Sequence, residues 1–378
     1  MASDSTALAP ISIPVSVITG FLGSGKTTLL SRLLVDKRMN NAAVIINEFG
    51  EVGLDHQLLT SPREDTILLS SGCLCCSLRG DLVNTLTELW NDRARGKIPA
   101  FDRVLVETSG LSDPAPVLLT VTADDRLSEV FHVERVITTA DAVHGFSQID
   151  SQPEAVKQAC VADVLLLTKT DIADGTKLDA LRDRLHQLNP VAIMRDVVQG
   201  EIDPDVLFNF AQPGAARVRD FSGLSAQVES TGGGTHGDDG HDQQHTRHDH
   251  SSGSHSGISS FAVVVDDPVT FHGLQLWMGL LCEMNGPNLL RIKGIVNIAG
   301  RPIVIQAVQH MFHPPSELPE WPDQDLRSRI VFITRGISRQ QIERTLGVLS
   351  LEIPASNQET TIDPSAFRQF AAAASKFR

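Results

Sequence analysis

Residues 13–34 read IPVSVITGFLGSGKTTLLSRLL. The first seven are apolar without alternation, which suits a strand buried on both faces of a parallel sheet. The last eight set Leu29, Leu30, Leu33 and Leu34 on one face of a helix. Between them, Gly20-Phe21-Leu22-Gly23-Ser24-Gly25-Lys26-Thr27 matches the pattern GxxxxGK followed by Ser or Thr, in the strand-to-helix context that the pattern requires. Glycine lets the backbone curl with its N–H groups inward, and the helix start adds the positive end of its dipole. Gly20, Gly23, Ser24, Gly25, Lys26, Thr27 and Thr28 are therefore expected to cradle the phosphates of a nucleotide. Lys26 is expected at the β- and γ-phosphates and the Thr27 hydroxyl at Mg²⁺.

Working outward, short runs rich in Val, Ile and Leu recur at 42–47, 66–69, 103–107, 135–139 and 162–168. Amphipathic stretches separate them, such as 81–90 with Leu82, Leu86 and Leu89 on one side. This alternation predicts an α/β domain, a P-loop fold with a mostly parallel sheet flanked by helices. It is expected to span residues 1–222. Residues 223–258 are dominated by Gly, Ser, His, Asp and Thr. They cannot bury a core and read as a disordered linker. Apolar patterning resumes in a smaller α+β domain, residues 259–378. Strands are expected at 259–265, 289–298, 302–310 and 328–334, with a turn at 300–301. Helices are expected at 270–284, 338–349 and 363–376.

Two further stretches belong beside a phosphate loop. The run Arg103–Thr108 continues into Ser109-Gly110, a strand that ends in an acid and a flexible turn. Glu107 can hold Mg²⁺ through water or help to place an attacking water, and the Gly110 N–H can approach a γ-phosphate. The other stretch is Thr168-Lys169-Thr170-Asp171 after a buried strand. In P-loop GTPases the usual form begins with Asn; there the Asp accepts from guanine N1–H and N2–H₂ and the Lys stem covers the base. Thr168, Lys169 and Asp171 thus point to GTP rather than ATP, with the support once given by Asn altered at Thr168.

Cysteine and histidine are distributed unevenly. Three of five cysteines fall in Gly72-Cys73-Leu74-Cys75-Cys76. Such a cluster suits Zn²⁺ or Cu(I), because a cation relieves the repulsion between thiolates. Cys73, Cys75 and Cys76 are the expected ligands, with Glu48 first among candidates for a fourth. Cys160 and Cys282 read as core thiols. The cluster lies between residues 47–55 and Glu107, the places where P-loop GTPases carry the switches ordered by γ-phosphate. GTP loading would therefore shape the thiolate site, and hydrolysis would reshape it. Six of thirteen histidines, His236, His241, His245, His248, His250 and His255, alternate with aspartates in the linker. They suit loose capture of Zn²⁺, Co²⁺ or Ni²⁺, or else only a solvated tether.

Composition excludes several classes. The 378 residues hold 32 basic and 46 acidic side chains, a formal charge of −14, which repels a nucleic-acid backbone. No apolar run reaches about 18 residues, so no membrane span is expected. Residues 1–10 lack a basic start and an apolar stretch, which argues against secretion. An odd cysteine count with clustered thiols suits a reducing cytoplasm.

Together these stretches resemble the CobW-like GTPases, P-loop metallochaperones related to the hydrogenase- and urease-maturation GTPases. The resemblance rests on GFLGSGKTTLL, NEFGEVGLD, GCLCCSL, VETSGLSDPAP and TKTD, and later on LLRIKGIVNIAG, VQHMFHPP and RIVFITRGIS. It implies GTP hydrolysis coupled to delivery of a divalent metal to a client metalloprotein, with Cys73, Cys75 and Cys76 as the metal site. Zinc is the commonest assignment in that family and cobalt the one that named it. Client and oligomeric state stay open. Two other readings compete: an NTP-dependent phosphotransferase with a structural zinc, and a metal-storage protein with slow hydrolysis.

Overall fold

The computed structural model describes residues 12–47, 67–71, 78–210, 218–221, 223–224 and 257–352. They divide into two compact units, one built from those up to 210 together with 311–314, the other from the remainder.

The first unit is built on β1 (Ile13–Gly20), β2 (Ala42–Asn47), β3 (Ile67–Ser71), β4 (Arg103–Thr108), β5 (Phe131–Asp141), β6 (Val164–Thr168) and β7 (Ile193–Val197). They form one seven-stranded sheet in the order β3-β2-β4-β1-β5-β6-β7, and each neighbouring pair is parallel. The expected α/β class is borne out. Six strands fall on the apolar runs. β7 was not foreseen: its centre, Arg195 and Asp196, is exposed at the sheet edge, so the apolar signal is broken by charge. β5 starts four residues earlier than its run, because His132 and Glu134 interrupt the hydrophobic pattern but still lie in the strand.

The helices are α1 (Lys26–Leu33), α2 (Leu78–Ala94), α3 (Ala115–Ala123), α4 (Asp125–Ser128), α5 (Gly145–Ser151), α6 (Pro153–Val161), α7 (Gly175–Leu188) and α8 (Pro204–Leu207). Leu29, Leu30 and Leu33 of α1 pack into a cluster with Ile18, Val44, Leu105, Ile137 and Leu166. Burying each such side chain stabilises the fold by about 1.5–3 kcal/mol, which clamps α1 on the sheet and holds the loop before it. After β1 the chain builds the β2–β4 side of the sheet, then crosses to build β5–β7. The side changes at β1, between β4 and β5, and open parallel sheets bind ligands at the carboxyl ends of strands at such a point.

The second sheet is formed by β8 (Ile258–Val265), β9 (Leu289–Ile298), β10 (Arg301–Val308), β11 (Met311–Phe312), β12 (Ser316–Glu317) and β13 (Ser328–Arg335), in the order β11-β10-β9-β13-β8 with β12 beside β10. The pairs β10–β9, β9–β13 and β13–β8 are antiparallel. The helix α9 (Phe271–Asn285) buries Trp277, whose ring meets Phe332 edge-on at 6.1 Å and whose Nε1 donates to Thr345 Oγ1 at 2.8 Å. Two expectations need correction. The turn between β9 and β10 is Ala299-Gly300, both with positive φ (52° and 83°), because a two-residue hairpin needs left-handed backbone at both positions. The single helix expected over 338–349 is α10 (Arg339–Glu343) followed by a 3₁₀ turn, Leu346–Ser350. Thr345 turns its hydroxyl back to Ile342 O, a local bond that competes with continued helix. Cys160 is fully buried, whereas Cys282 is only partly so; its Sγ donates to His310 O and burial pushes the thiol up to about 11.

Candidate nucleotide site

The loop that links β1 to α1 is held by short bonds that its sequence supplies. Gly20, Gly23 and Gly25 have φ of 143°, 73° and 93°, values that L side chains rarely adopt. Gly25 caps α1 without a side-chain bond, so no capping side chain stands between the helix start and an anion. Ser24 and Thr139 hydroxyls lie 2.7 Å apart, Thr139 Oγ1 also donates to Thr19 O at 3.3 Å, and Thr108 Oγ1 donates to Thr19 Oγ1 at 2.8 Å. These buried hydroxyls tie the loop to β1, β4 and β5. Lys26 is itself buried and turns its Nζ into the loop, donating to Gly20 O at 3.1 Å and Phe21 O at 3.3 Å. Thr28, in the first turn of α1, is exposed.

Register brings β4 beside β1, with Glu107 opposite Ile18. Glu107 is buried, and Thr27 Oγ1 donates to Glu107 Oε1 at 2.8 Å. A hydroxyl and a carboxylate thus stand side by side next to the lysine, an oxygen donor pair that fits a hard divalent cation such as Mg²⁺. Gly110 lies against the loop: a methyl group there would sit 2.7 Å from Leu22 N and 2.9 Å from Leu22 Cα. Only glycine permits that approach.

The third stretch meets the same loop. Thr168 Oγ1 donates to Ser24 O at 2.8 Å and to Ala140 O at 3.3 Å. The hydroxyl of Thr168, expected to alter the support at this position, ties the turn to the loop. Lys169 has φ 59° and extends its Nζ to Asp141 Oδ2 at 2.7 Å. Asp141 Oδ1 accepts from the N–H groups of Val143 and His144. Burial alone would raise the Asp141 carboxyl, but Lys169 and the two amides outweigh it and hold it below the usual carboxylate range. Asp171 is exposed beyond the turn. Asp141 and Thr139 were missed from sequence, because Lys169 and Ser24, which their side chains meet, lie 28 and 115 residues away along the chain.

Gly20, Gly23, Ser24, Gly25, Lys26, Thr27, Glu107, Gly110 and Thr168 are therefore brought together at the carboxyl ends of β1, β4 and β6, with Lys169 beside them. Glu48, Cys73, Cys75, Cys76, His236, His241, His245, His248, His250 and His255 lie outside the described residues. Among the described residues no group of three or more His, Cys, Asp or Glu side chains is placed to hold a metal ion. No helix among them is long and apolar enough to cross a membrane.

A parallel sheet with a phosphate-type loop at its switch point, an acid beside the loop threonine and a TKxD turn tied to the same loop define a P-loop nucleotide-binding protein. The chain belongs to the CobW/HypB/UreG family: residues 14–195 match the model of its nucleotide-binding domain, and residues 258–349 match the cobalamin synthesis protein cobW C-terminal domain. It is 33% identical over 332 residues to the zinc chaperone YjiA of Escherichia coli (strain K12), covering 87% of this chain and 96% of that protein. It is 28% identical over 373 residues to the zinc chaperone CobW of Pseudomonas aeruginosa, covering 88% and 90%. Among solved structures, the Zn(II)-bound YjiA GTPase from E. coli matches with a TM-score of 0.64 and 27% identity, over 90% of this chain and 99% of that one.

Proposed function

We propose that this chain is a GTPase that binds zinc and passes it to a client metalloprotein, with metal affinity coupled to the nucleotide state. The observation that carries the GTPase part is the convergence on the phosphate loop: Glu107 bonds Thr27 from one side, and Thr168 bonds Ser24 O from the other. Lys26 and the loop amides offer a positive charge and N–H donors to a polyphosphate. Thr27 and Glu107 would hold Mg²⁺, which when bound neutralises charge on the β- and γ-phosphates. In the reaction water attacks the γ-phosphorus, the bond from phosphorus to the β,γ-bridging oxygen breaks, and GDP leaves with that electron pair. The water oxygen ends in inorganic phosphate, and its proton is released. Lys169 and Asp171 would hold guanine, the lysine stem over the base and the carboxylate on its N–H edge.

Zinc is the cargo in this reading. Two relatives that match over most of their length are zinc chaperones. Strand register supports the coupling. Asn47, the residue before Glu48, pairs with Ser71, which stands two before Cys73. Asn47 also pairs with Thr108, next to Glu107. The chain thus enters both candidate metal segments from neighbouring strand ends, about 4.8 Å apart, beside the strand that carries the catalytic acid. Cobalt is the alternative cargo for the same thiolate set, and the cytoplasm is the compartment that reduced thiols imply.

Competition titration of Zn²⁺ against a chromophoric chelator, with and without a non-hydrolysable GTP analogue, tests this. One tight site per chain is expected, with a several-fold change in affinity on adding the analogue and Mg²⁺. Inorganic phosphate should be released to water rather than moved to an acceptor. Unchanged zinc affinity and unchanged GTP turnover in a Cys75→Ala, Cys76→Ala double variant would overturn the coupling.

A further inference from the structure

We infer that Gln158 is a positioning residue for GTP hydrolysis, clamping the loop that follows Glu107 against the phosphate loop. This rests on the GTPase reading above. Gln158 lies in α6 at 0% exposure. An amide so placed costs free energy unless it is bonded. Its Nε2 donates to Gly110 O at 3.1 Å and to Ser112 O at 3.0 Å. Two carbonyl acceptors identify the nitrogen end of the side chain and use both of its N–H groups. No donor among the described residues reaches its Oε1, so the side chain is oriented by these two bonds alone.

The clamp is anchored and directed. The Gln158 backbone carbonyl accepts from Thr138 Oγ1 at 2.9 Å, which pins this point of α6 to β5. Lys157, the preceding residue, pairs with Asp113 at 3.6 Å, so two successive helix residues grip one short loop. That loop is already tight, with Ser112 N donating to Ser109 O at 3.0 Å. On its far side Gly110 abuts Leu22 of the phosphate loop. Sheet, helix, loop and phosphate loop therefore form a continuous line of contact, and Glu107 stands three residues before the clamped carbonyl. Gln158 itself makes no hydrogen bond to the phosphate loop or to residues 168–171 among the bonds described. Its removal should therefore disturb the placing of the groups around the γ-phosphate more than nucleotide affinity.

The test uses the full chain and the variants Gln158→Met, which keeps the volume and loses both donors, and Gln158→Glu, which faces the two carbonyls with at most one donor. Amide hydrogen exchange over residues 109–117 is measured without nucleotide, fluorescent GDP affinity by titration, and phosphate release at saturating GTP and Mg²⁺. Faster exchange in both variants, a kcat lower by roughly ten- to a hundredfold and GDP affinity within about twofold of wild type, on the same scale, are expected. Unchanged exchange over 109–117, or a kcat unchanged in Gln158→Met, would overturn the inference. So would equal losses of kcat and GDP affinity with a large fall in melting temperature, which would make Gln158 general support for the fold. A wild-type chain that hydrolyses no GTP would sink the GTPase reading instead, while the exchange measurement still decides whether the clamp exists.

Discussion

Lys169 is the residue whose conformation says most about the turn at residues 168–171. A lysine at φ 59° sits in the left-handed region, which costs of order 1–3 kcal/mol unless the surroundings dictate it. Here they do: Ala142 N donates to Thr168 O at 2.9 Å, and Asp141 takes the Lys169 ammonium. The Asp141→Asn variant keeps an acceptor for the two backbone amides but removes the charge and puts an NH₂ donor in place of the oxygen that accepts from Lys169. Because Lys169 is partly exposed, screening limits the loss to about 1 kcal/mol, so fluorescent GDP should bind roughly fivefold more weakly. Equal GDP affinity in the variant would show that Lys169 needs no tether. The same pair has a pH signature. The Asp141 pKa is lowered in the fold, so its contribution to stability is complete above the unfolded carboxylate value of about 4 and fades as pH falls through the lower folded value. The difference in urea midpoint between wild type and Asp141→Asn should accordingly be full at neutral pH and shrink in acid. At this scale the contiguous motifs were legible, because glycine, lysine and threonine at fixed offsets act through their own backbone. Asp141 and Gln158 were not, since their partners lie 28, 46 and 48 residues away.

Among the elements, the segment from β4 to α3 packs closely on the phosphate loop. Glu107 ends the strand, Gly110 meets Leu22, and Asp113 Oδ1 accepts from Ala115 N at the start of α3. The methyl group of Gly110→Ala would meet backbone atoms of the phosphate loop, which cannot rotate away as a side-chain tip can. We expect a cost of about 1–3 kcal/mol, read as a lower urea midpoint, together with a loss of GTP turnover. An unchanged midpoint and turnover would mean that the two loops slide freely past each other. Elements themselves were mostly readable. β1, β2, β4 and β6 are continuous apolar runs because both faces of a central parallel strand are covered. β7 escaped because an edge strand tolerates Arg195 and Asp196 toward solvent. The helix after β13 was overestimated because apolar spacing does not report a threonine that bonds its own backbone.

Among the described residues the chain carries two sheets, one parallel and one antiparallel along β10-β9-β13-β8. Between them lies the stretch that holds six histidines and Asp238, Asp239, Asp242 and Asp249. Deleting residues 232–256 leaves Gly257, whose carbonyl accepts from Gly336 N at 2.9 Å beside the first residue of β8. Metal-loaded gel filtration followed by elemental analysis should show fewer Zn²⁺ or Co²⁺ ions per chain after this deletion. The thiolate site and GTP turnover should be spared. Loss of turnover on deletion would show that the segment has a structural role instead. Electrostatics on this scale also favour cations over nucleic acid, given a formal charge of −14.

Sequence alone sufficed wherever the physics is local. A glycine pattern that curls the backbone, a lysine and threonine that open a helix, and apolar runs of strand length are properties of neighbouring residues. The order β3-β2-β4-β1-β5-β6-β7 is not local. It depends on which buried faces pack best across the whole sheet, and only the tertiary structure decided it. That order sets Glu107 on Thr27, Thr168 on Ser24 O and Asp141 on Lys169, because strand register, not spacing along the chain, determines which side chains meet.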